Sequence, residues 1–246
     1  MTPRILALVS FLYSALLVAG SPVQRPAVVP PAPPAVRPTT PADTERLGPH
    51  RYRLGAITVD SERRELRVPA EVNDVMTIEF AANTRNGAKA YESLLTVDSN
   101  AITFNAALLL LGLDPARAKK PTRQFDPATP GGDPVAIAVE WQQAGKTKRV
   151  PVEELLLDRR TGRTVEDGPW VYTGSTFIDT GNERGFLAEI DGVLLGLMRG
   201  PAALIENPRD DVVDGFGHIV LNPKAGAPPG TRVTLIVTAL PRPSGR

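Results

Sequence analysis

A stretch crowded with proline divides this chain into unequal parts. Nine of its 25 prolines fall within residues 22–49, with Ala, Val and Thr between them. Each proline fixes φ and removes a backbone donor, so neither a helix nor a sheet is expected to propagate there. Residues 21–50 are therefore predicted to form a semi-extended tether of roughly 3 Å per residue. Both a spacer and a docking ligand for a proline-binding domain are compatible with this composition.

The residues ahead of the tether have the order of a secretory signal peptide. Arg4 supplies a positive charge, residues 5–19 contain no charged side chain, and small residues follow. The uncharged run is shorter than the ~20 residues that a membrane-spanning helix needs. We therefore predict export to the periplasm or the surface of a bacterium, with residues 1–20 removed after Gly20. An uncleaved leader that anchors the chain is the alternative, and the only membrane contact that we expect from the sequence.

Composition excludes several classes of function. The chain has no cysteine, which rules out disulfides, thiolate nucleophiles and iron–sulfur clusters. Two histidines leave little for a multi-histidine metal centre, and 28 basic against 27 acidic residues argue against binding nucleic acid by neutralising phosphates. Gly131-Gly132 lacks the lysine and the strand–helix frame of a phosphate loop. We predict no resident cofactor and no nucleic-acid partner.

Residues 51–246 have the length of one domain and the pattern of many short strands. Hairpins are predicted where two apolar or alternating segments flank a turn, within residues 54–68, 135–152 and 186–198. In the last of these, Asp191-Gly192 suits a type I′ turn. Further strands are predicted at 75–80, 170–178, 218–221 and 232–239. A count of nine or ten strands indicates an α+β fold, β-rich and antiparallel, built as a barrel or a sandwich.

One segment predicts the main helix. Asp98-Ser99-Asn100 offers an N-cap, residues 101–111 are mostly apolar and end in four leucines, and Gly112 follows with Pro115 beyond it. Because the leucines cover more than one face, we expect this helix to be largely buried. Residues 92–97, just before it, fit either a strand or the lead into the helix.

Two groups of residues are candidates for a polar site. Tyr91, Glu92 and Ser93 stand at the start of an apolar stretch, where a carboxylate beside a hydroxyl can act as a base or a single metal ligand. Hydrogen bonding to backbone at a strand end is the alternative. Trp170, with Gly174-Ser175 shortly after it, fits a shallow ligand groove or ordinary core packing.

A third group is acidic. Asp210, Asp211 and Asp214 offer the oxygen ligands that Ca²⁺ prefers, and His218 follows closely. The alternating spacing of an EF-hand loop is missing, and a solvated acidic loop explains the same residues. We assign no metal site, and these four side chains are the candidates if the protein binds a metal.

Several segments together resemble one family, the YdjY domain of bacterial envelope proteins. They are residues 55–72, 90–95, 109–113, 135–141, 170–175 and 228–235, and they span nearly all of residues 51–246. The resemblance implies a single domain, often exported and tethered, without an established biochemical activity. Relatives often carry His at the position of Tyr91, so a His–Glu function is either absent here or independent of the imidazole.

These observations favour a non-catalytic binding or structural module whose partner is an envelope protein or a small ligand. The alternative is a metal-dependent or metal-binding envelope protein that uses Glu92 or the Asp210–Asp214 cluster.

Overall fold

The computed structural model of the chain describes residues 40–179, 181, 184–210, 212 and 216–242. The predicted leader and most of the predicted tether lie outside these residues. The described part contains two α-helices, α1 (Ala101–Leu110) and α2 (Leu187–Asp191), and three short 3₁₀ turns at Ala90–Glu92, Pro115–Arg117 and Val152–Leu155. Its strands are β1 (Thr44–Arg46), β2 (Arg51–Leu54), β3 (Ile57–Asp60), β4 (Glu65–Val72), β5 (Phe80–Thr84), β6 (Ser93–Val97), β7 (Asp133–Gln143), β8 (Lys146–Pro151), β9 (Leu156–Asp158), β10 (Arg163–Thr164), β11 (Trp170–Tyr172), β12 (Phe177–Asp179), β13 (Arg184–Phe186), β14 (Val193–Gly196), β15 (Ile205–Glu206), β16 (Ile219–Leu221) and β17 (Arg232–Ala239).

Eight strands close into a barrel. Their order around it is β4, β17, β7, β11, β15, β14, β5 and β6, and β6 pairs back onto β4. Alternate residues of β7 point inward, so Val135, Ile137, Val139 and Trp141 are buried while their neighbours are not. The core lies inside this ring and under α1. Strands β1 to β3 extend the sheet from β4, and β8 pairs with the far end of β7.

The β-rich α+β class is confirmed, but the predicted strand count and the purely antiparallel character are wrong. Strands β5 and β6 pair in parallel, and so do β14 and β15. Seventeen strands occur in the described residues rather than nine or ten. Eight of them hold only two or three residues, too few for an alternating pattern to be visible in the sequence.

The predicted hairpin at 186–198 is also wrong. Residues Leu187–Asp191 form α2, and Gly192 ends it in the left-handed conformation with φ of 75°. The carboxylate of Glu189 accepts hydrogen bonds from the backbone N–H groups of Ala101 and Ile102, at 2.8 and 3.2 Å. This contact with the first turn of α1 supports a helix at a place where local sequence favours a hairpin.

Helix α1 is confirmed, and its burial is only partly as expected. The Asn100 side chain caps it by accepting from the Thr103 N–H at 2.7 Å. Phe104, Ala107 and Leu108 are buried, whereas Leu109 and Leu110 remain 44% and 39% exposed. The leucine run therefore faces the core on one side and solvent on the other.

Two segments, β5 and β1, differ in detail from expectation, and a third, residues 93–97, takes one of its two predicted forms. Strand β5 begins at Phe80, where the predicted strand 75–80 ends, and residues 93–97 form a strand rather than a lead into the helix. Strand β1 falls within the stretch predicted as tether and pairs with β2. The predicted hairpins of β3 with β4 and of β7 with β8 are confirmed, as is the strand at 232–239. No helix in the described part of the chain is long and apolar enough to cross a membrane.

Candidate functional site

Two adjoining clefts lie around the end of β8, the first lined by residues of β9 and β10 and the second by residues 136–138 of β7. Strand β11 pairs with residues 133–135 of β7, and β8 pairs with residues 138–143, so the two partners leave a gap between them. The first cleft has a volume of about 800 Å³ and the second about 630 Å³. Pro151, Glu153 and Asp167 line both clefts, which therefore adjoin. Volumes of this size are typical of small-molecule sites.

Glu153 is the buried polar group at the junction of the clefts. It lies in the 3₁₀ turn that follows Pro151 and is 3% exposed. Oε1 of Glu153 accepts two hydrogen bonds. Trp170 donates from its indole Nε1 at 2.7 Å, and Arg209 donates from Nη2 at 2.9 Å. Two donors from distant parts of the chain thus fix this carboxylate in one orientation.

Arg209 and Trp170 also hold each other. The guanidinium carbon of Arg209 is 5.4 Å from the centre of a Trp170 ring, a cation–π distance. Its Nη1 donates to the carbonyl of Gly168 at 2.7 Å. Burial raises the pKa of Glu153, and the hydrogen bond from Trp170 and the charge of Arg209 only partly oppose that effect. The site therefore presents a carboxyl group that takes up a proton more readily than an exposed glutamate.

The two clefts differ in chemistry. The first is lined by five carboxyl and two guanidinium groups, those of Glu153, Glu154, Asp158, Glu166, Asp167, Arg160 and Arg163. Arg160 is already engaged with Asp158 at 3.3 Å. The second is mostly apolar, lined by Ala136, Ile137, Ala138, Val150, Pro169 and Leu240, with Arg149 as its cation. Such a pair of clefts suits a ligand that has a cationic group joined to an apolar body.

The structure separates the residues proposed from sequence. Trp170 is fully buried and supports the site through Glu153, although it lines neither cleft. Ser175 lies elsewhere, where its Oγ donates to the Ala202 carbonyl at 2.7 Å and accepts from the Ala188 N–H at 3.1 Å. These bonds give Ser175 a structural role between β11 and α2.

Tyr91, Glu92 and Ser93 gather around Lys89, away from the clefts. Tyr91 is 68% exposed, and its ring lies 5.8 Å from the Lys89 ammonium. Glu92 is buried with its Oε1 2.9 Å from Lys89 Nζ, and the Ser93 hydroxyl donates to the Lys89 carbonyl at 2.7 Å. The carboxylate and the hydroxyl predicted as a reactive pair are thus bound to one lysine.

The acidic candidates are described only in part. Asp210 is exposed and pairs with the buried Arg199, and His218 is exposed. Asp211 and Asp214 lie outside the described residues. Among the residues that are described, no three His, Asp or Glu side chains are grouped to share a metal ion.

Sequence reasoning missed Glu153 and Arg209. They are 56 residues apart and meet because the 3₁₀ turn after β8 and the loop after β15 both pack against Trp170. The sequence offers one local signal, Glu153 in a short apolar segment directly after a strand and a proline.

Fold and site together define a closed β-barrel domain with a two-part cleft on its side wall. The family model described as YdjY domain matches residues 57–238, so the chain belongs to the YdjY-domain family. The resemblance noted from the sequence is thereby confirmed. No curated protein and no solved structure matches the chain.

Proposed function

We propose that this YdjY domain is a non-catalytic binding module of the bacterial envelope, exported by its leader and carried on its proline-rich tether. The observation that carries the proposal is the pair of adjoining clefts that meet at Glu153. A carboxylate held by two donors, the buried Trp170 indole and the partly buried Arg209, beside an acidic and an apolar cleft, is built to orient a ligand. The ligand class is a small molecule or peptide segment with a cationic group next to an apolar group.

Binding is tested with defined probes. We expect leucyl-arginine amide to bind the protein and the matched leucyl-glutamate amide not to bind, by isothermal titration calorimetry. The variant Asp167→Asn removes a cleft carboxylate and is expected to weaken binding of the arginine probe severalfold. Glu62→Gln, which neutralises an exposed carboxylate outside both clefts, is the matched control. Equal binding of both probes, or of neither, would contradict the proposed ligand class.

Export is tested separately. When the full chain is expressed in a bacterium, the protein should fractionate with the envelope and its first residue should be Ser21. Recovery of Met1 on envelope-associated protein would indicate the anchored alternative. Recovery from the cytoplasm with Met1 intact would refute export.

The metal-binding alternative is tested by elemental analysis of protein purified without chelator. Glu92 and Asp210, two of the residues that it uses, are engaged by Lys89 and Arg199 respectively. One equivalent of a divalent ion would nevertheless favour that alternative over the binding module, and mutagenesis would then turn to Glu92 and Asp210.

A further inference from the structure

The outer face of α1 is an apolar stripe. Helix α1 contains no charged side chain. Ala106 lies four residues after Ile102, and Leu109 and Leu110 lie three and four residues after Ala106, so all four fall on one side of the helix, and all four are partly or substantially exposed. Surface helices normally turn charged or polar residues to solvent, so this face is unusual.

The size of the stripe limits what covers it. Ten helical residues span about 15 Å, so a face one helix wide covers roughly 150 Å². Stable protein complexes bury about 800 Å² on each partner. A second copy packed on this stripe alone would therefore fall well short of the area a stable dimer needs. A lipid surface has no such requirement, because apolar side chains insert into it individually.

The surroundings of α1 favour a lipid surface. The segment that precedes β1 enters the folded domain beside α1, because the backbone N–H of Ala42 donates to the Thr103 hydroxyl at 2.9 Å. At the other end of α1, Arg64 and Arg242 donate to the carbonyls of Leu111 and Gly112, at 3.5 and 3.4 Å. Arg242 is also paired with the buried Asp133 at 2.8 Å, so Arg64 is the arginine at this end of α1 that complements anionic headgroups.

We propose that the outer face of α1 docks on the anionic surface of a membrane, with Leu109 and Leu110 inserted. This rests on the proposed export, because it places the domain next to a membrane. It adds a second attachment, made by the folded domain itself, to any made by an uncleaved leader.

The test uses residues 36–246, which form one compact unit with its own core and lack the apolar leader. This unit is sedimented with vesicles of phosphatidylethanolamine and phosphatidylglycerol, and with vesicles of phosphatidylcholine alone. We expect binding to the anionic vesicles, and partition roughly tenfold weaker for the double variant Leu109→Gln/Leu110→Gln. Glutamine keeps the helix propensity of the segment, so the helix should persist. Met76→Gln, at an apolar side chain 87% exposed outside α1, is the matched control.

A spectroscopic readout locates the contact. Leu109→Trp places a fluorophore on the stripe, while the native Trp141 and Trp170 are buried. Its emission should shift to shorter wavelength on addition of anionic vesicles. Absence of vesicle binding, or equal binding by the double glutamine variant, overturns the proposal. Dimerisation that the double variant abolishes would assign the stripe to a second copy instead. Asp167→Asn should bind vesicles normally, so loss of the cleft ligand and loss of lipid binding are distinguishable.

Discussion

At the scale of single residues, the barrel holds a fully buried carboxyl group with an unpaired oxygen atom, that of Glu206. Its Oε2 has no hydrogen-bond partner among the described residues. Burial raises its pKa well above the usual 4.5, although the Gly200 N–H and the charge of Arg199 oppose this. The folded state thus holds the proton more tightly than the unfolded chain. Glu206 consequently costs stability that grows as the pH rises above about 4.5.

The variant Glu206→Gln should remove this cost. We expect it to be more stable than the wild type by about 1–3 kcal/mol at pH 7 and nearly equal to it at pH 4. Urea unfolding at both pH values measures the difference, with the exposed Glu62→Gln as control. If Glu206→Gln were less stable at pH 7, the electrostatic attraction between Glu206 and Arg199 would outweigh the cost of burying Glu206.

Two glycines with the same left-handed backbone differ in the space available for a side chain, so substituting each one distinguishes steric crowding from backbone strain. Gly192 and Gly145 both have left-handed backbone, with φ of 75° and 76°. A Cβ on Gly192 would lie 2.3 Å from the Gly87 Cα and 2.6 Å from Asn83 Oδ1, whereas one on Gly145 would meet nothing within 4 Å. Gly145→Ala should therefore cost about 1 kcal/mol, and Gly192→Ala about 3 kcal/mol or more. Equal melting temperatures for the two variants would show that the contacts around Gly192 relax.

The candidate site was predictable from sequence only at Trp170. The N–H of a buried indole needs a hydrogen-bond acceptor, but no local sequence pattern identifies Glu153 as that acceptor. Arg209 is equally absent from the local pattern, because its role depends on the loop after β15, 56 residues from Glu153 in the chain. Glu92 and Ser93 looked reactive because adjacent residues suggest a pair. In the fold they serve one lysine.

At the scale of elements, one carboxylate fastens two chain segments to the start of β7. Asp133 is 3% exposed and accepts from the side chains of Arg117 and Arg242 and from the Asp114 N–H. Burial alone would raise its pKa, but the hydrogen bonds from Arg242, Asp114 and Arg117 outweigh it and lower the pKa. The stability from this group is present above the usual pKa of 3.8 and is lost as the pH falls through the lower folded value.

Asp133→Asn should consequently lower the free energy of unfolding by about 2 kcal/mol at pH 7. The deficit should shrink as the pH falls below 3.8 and the wild-type group takes up its proton. Guanidinium chloride unfolding across this range measures it. Asp114→Asn, at a more exposed side chain that pairs with Arg117 three residues later, is the comparison and should cost less than 1 kcal/mol. A deficit independent of pH would indicate loss of packing rather than loss of charge.

Elements with a long pattern were predictable, and elements fixed by distant contacts were not. β17 is eight residues long and β7 eleven, and inward-facing apolar residues recur at every second position along most of each, so both are visible in the sequence. Residues 187–190 resemble a strand in sequence, and Asp191-Gly192 after them is typical of a type I′ hairpin turn. It forms α2, with Glu189 bound to the backbone at the start of α1, a contact 88 residues away in the chain.

At the scale of the whole molecule, closure of the barrel depends on pairings that no local pattern specifies. The ring is completed where β6 meets β4 and where β14 and β15 run in parallel between β5 and β11. Strands β15 and β11 have two and three residues, and their positions are set by neighbours on both sides. The sequence indicates a β-rich domain with one main helix. The order and direction of its strands follow only from the packed structure.

The folded unit begins further toward the N-terminus than the sequence predicts. The sequence places the domain after residue 50, yet β1 pairs with β2 and Ala42 bonds to Thr103 on α1. The strand is exposed and its ion pair between Glu45 and Arg53 lies at the surface, so its contribution is small. A chain that starts at Arg51 should therefore be less stable than one that starts at Thr40 by about 1 kcal/mol, while still unfolding cooperatively. Thermal unfolding of the two chains measures this. Identical melting curves would place the limit at Arg51, and loss of cooperative unfolding in the shorter chain would make β1 an integral part of the sheet.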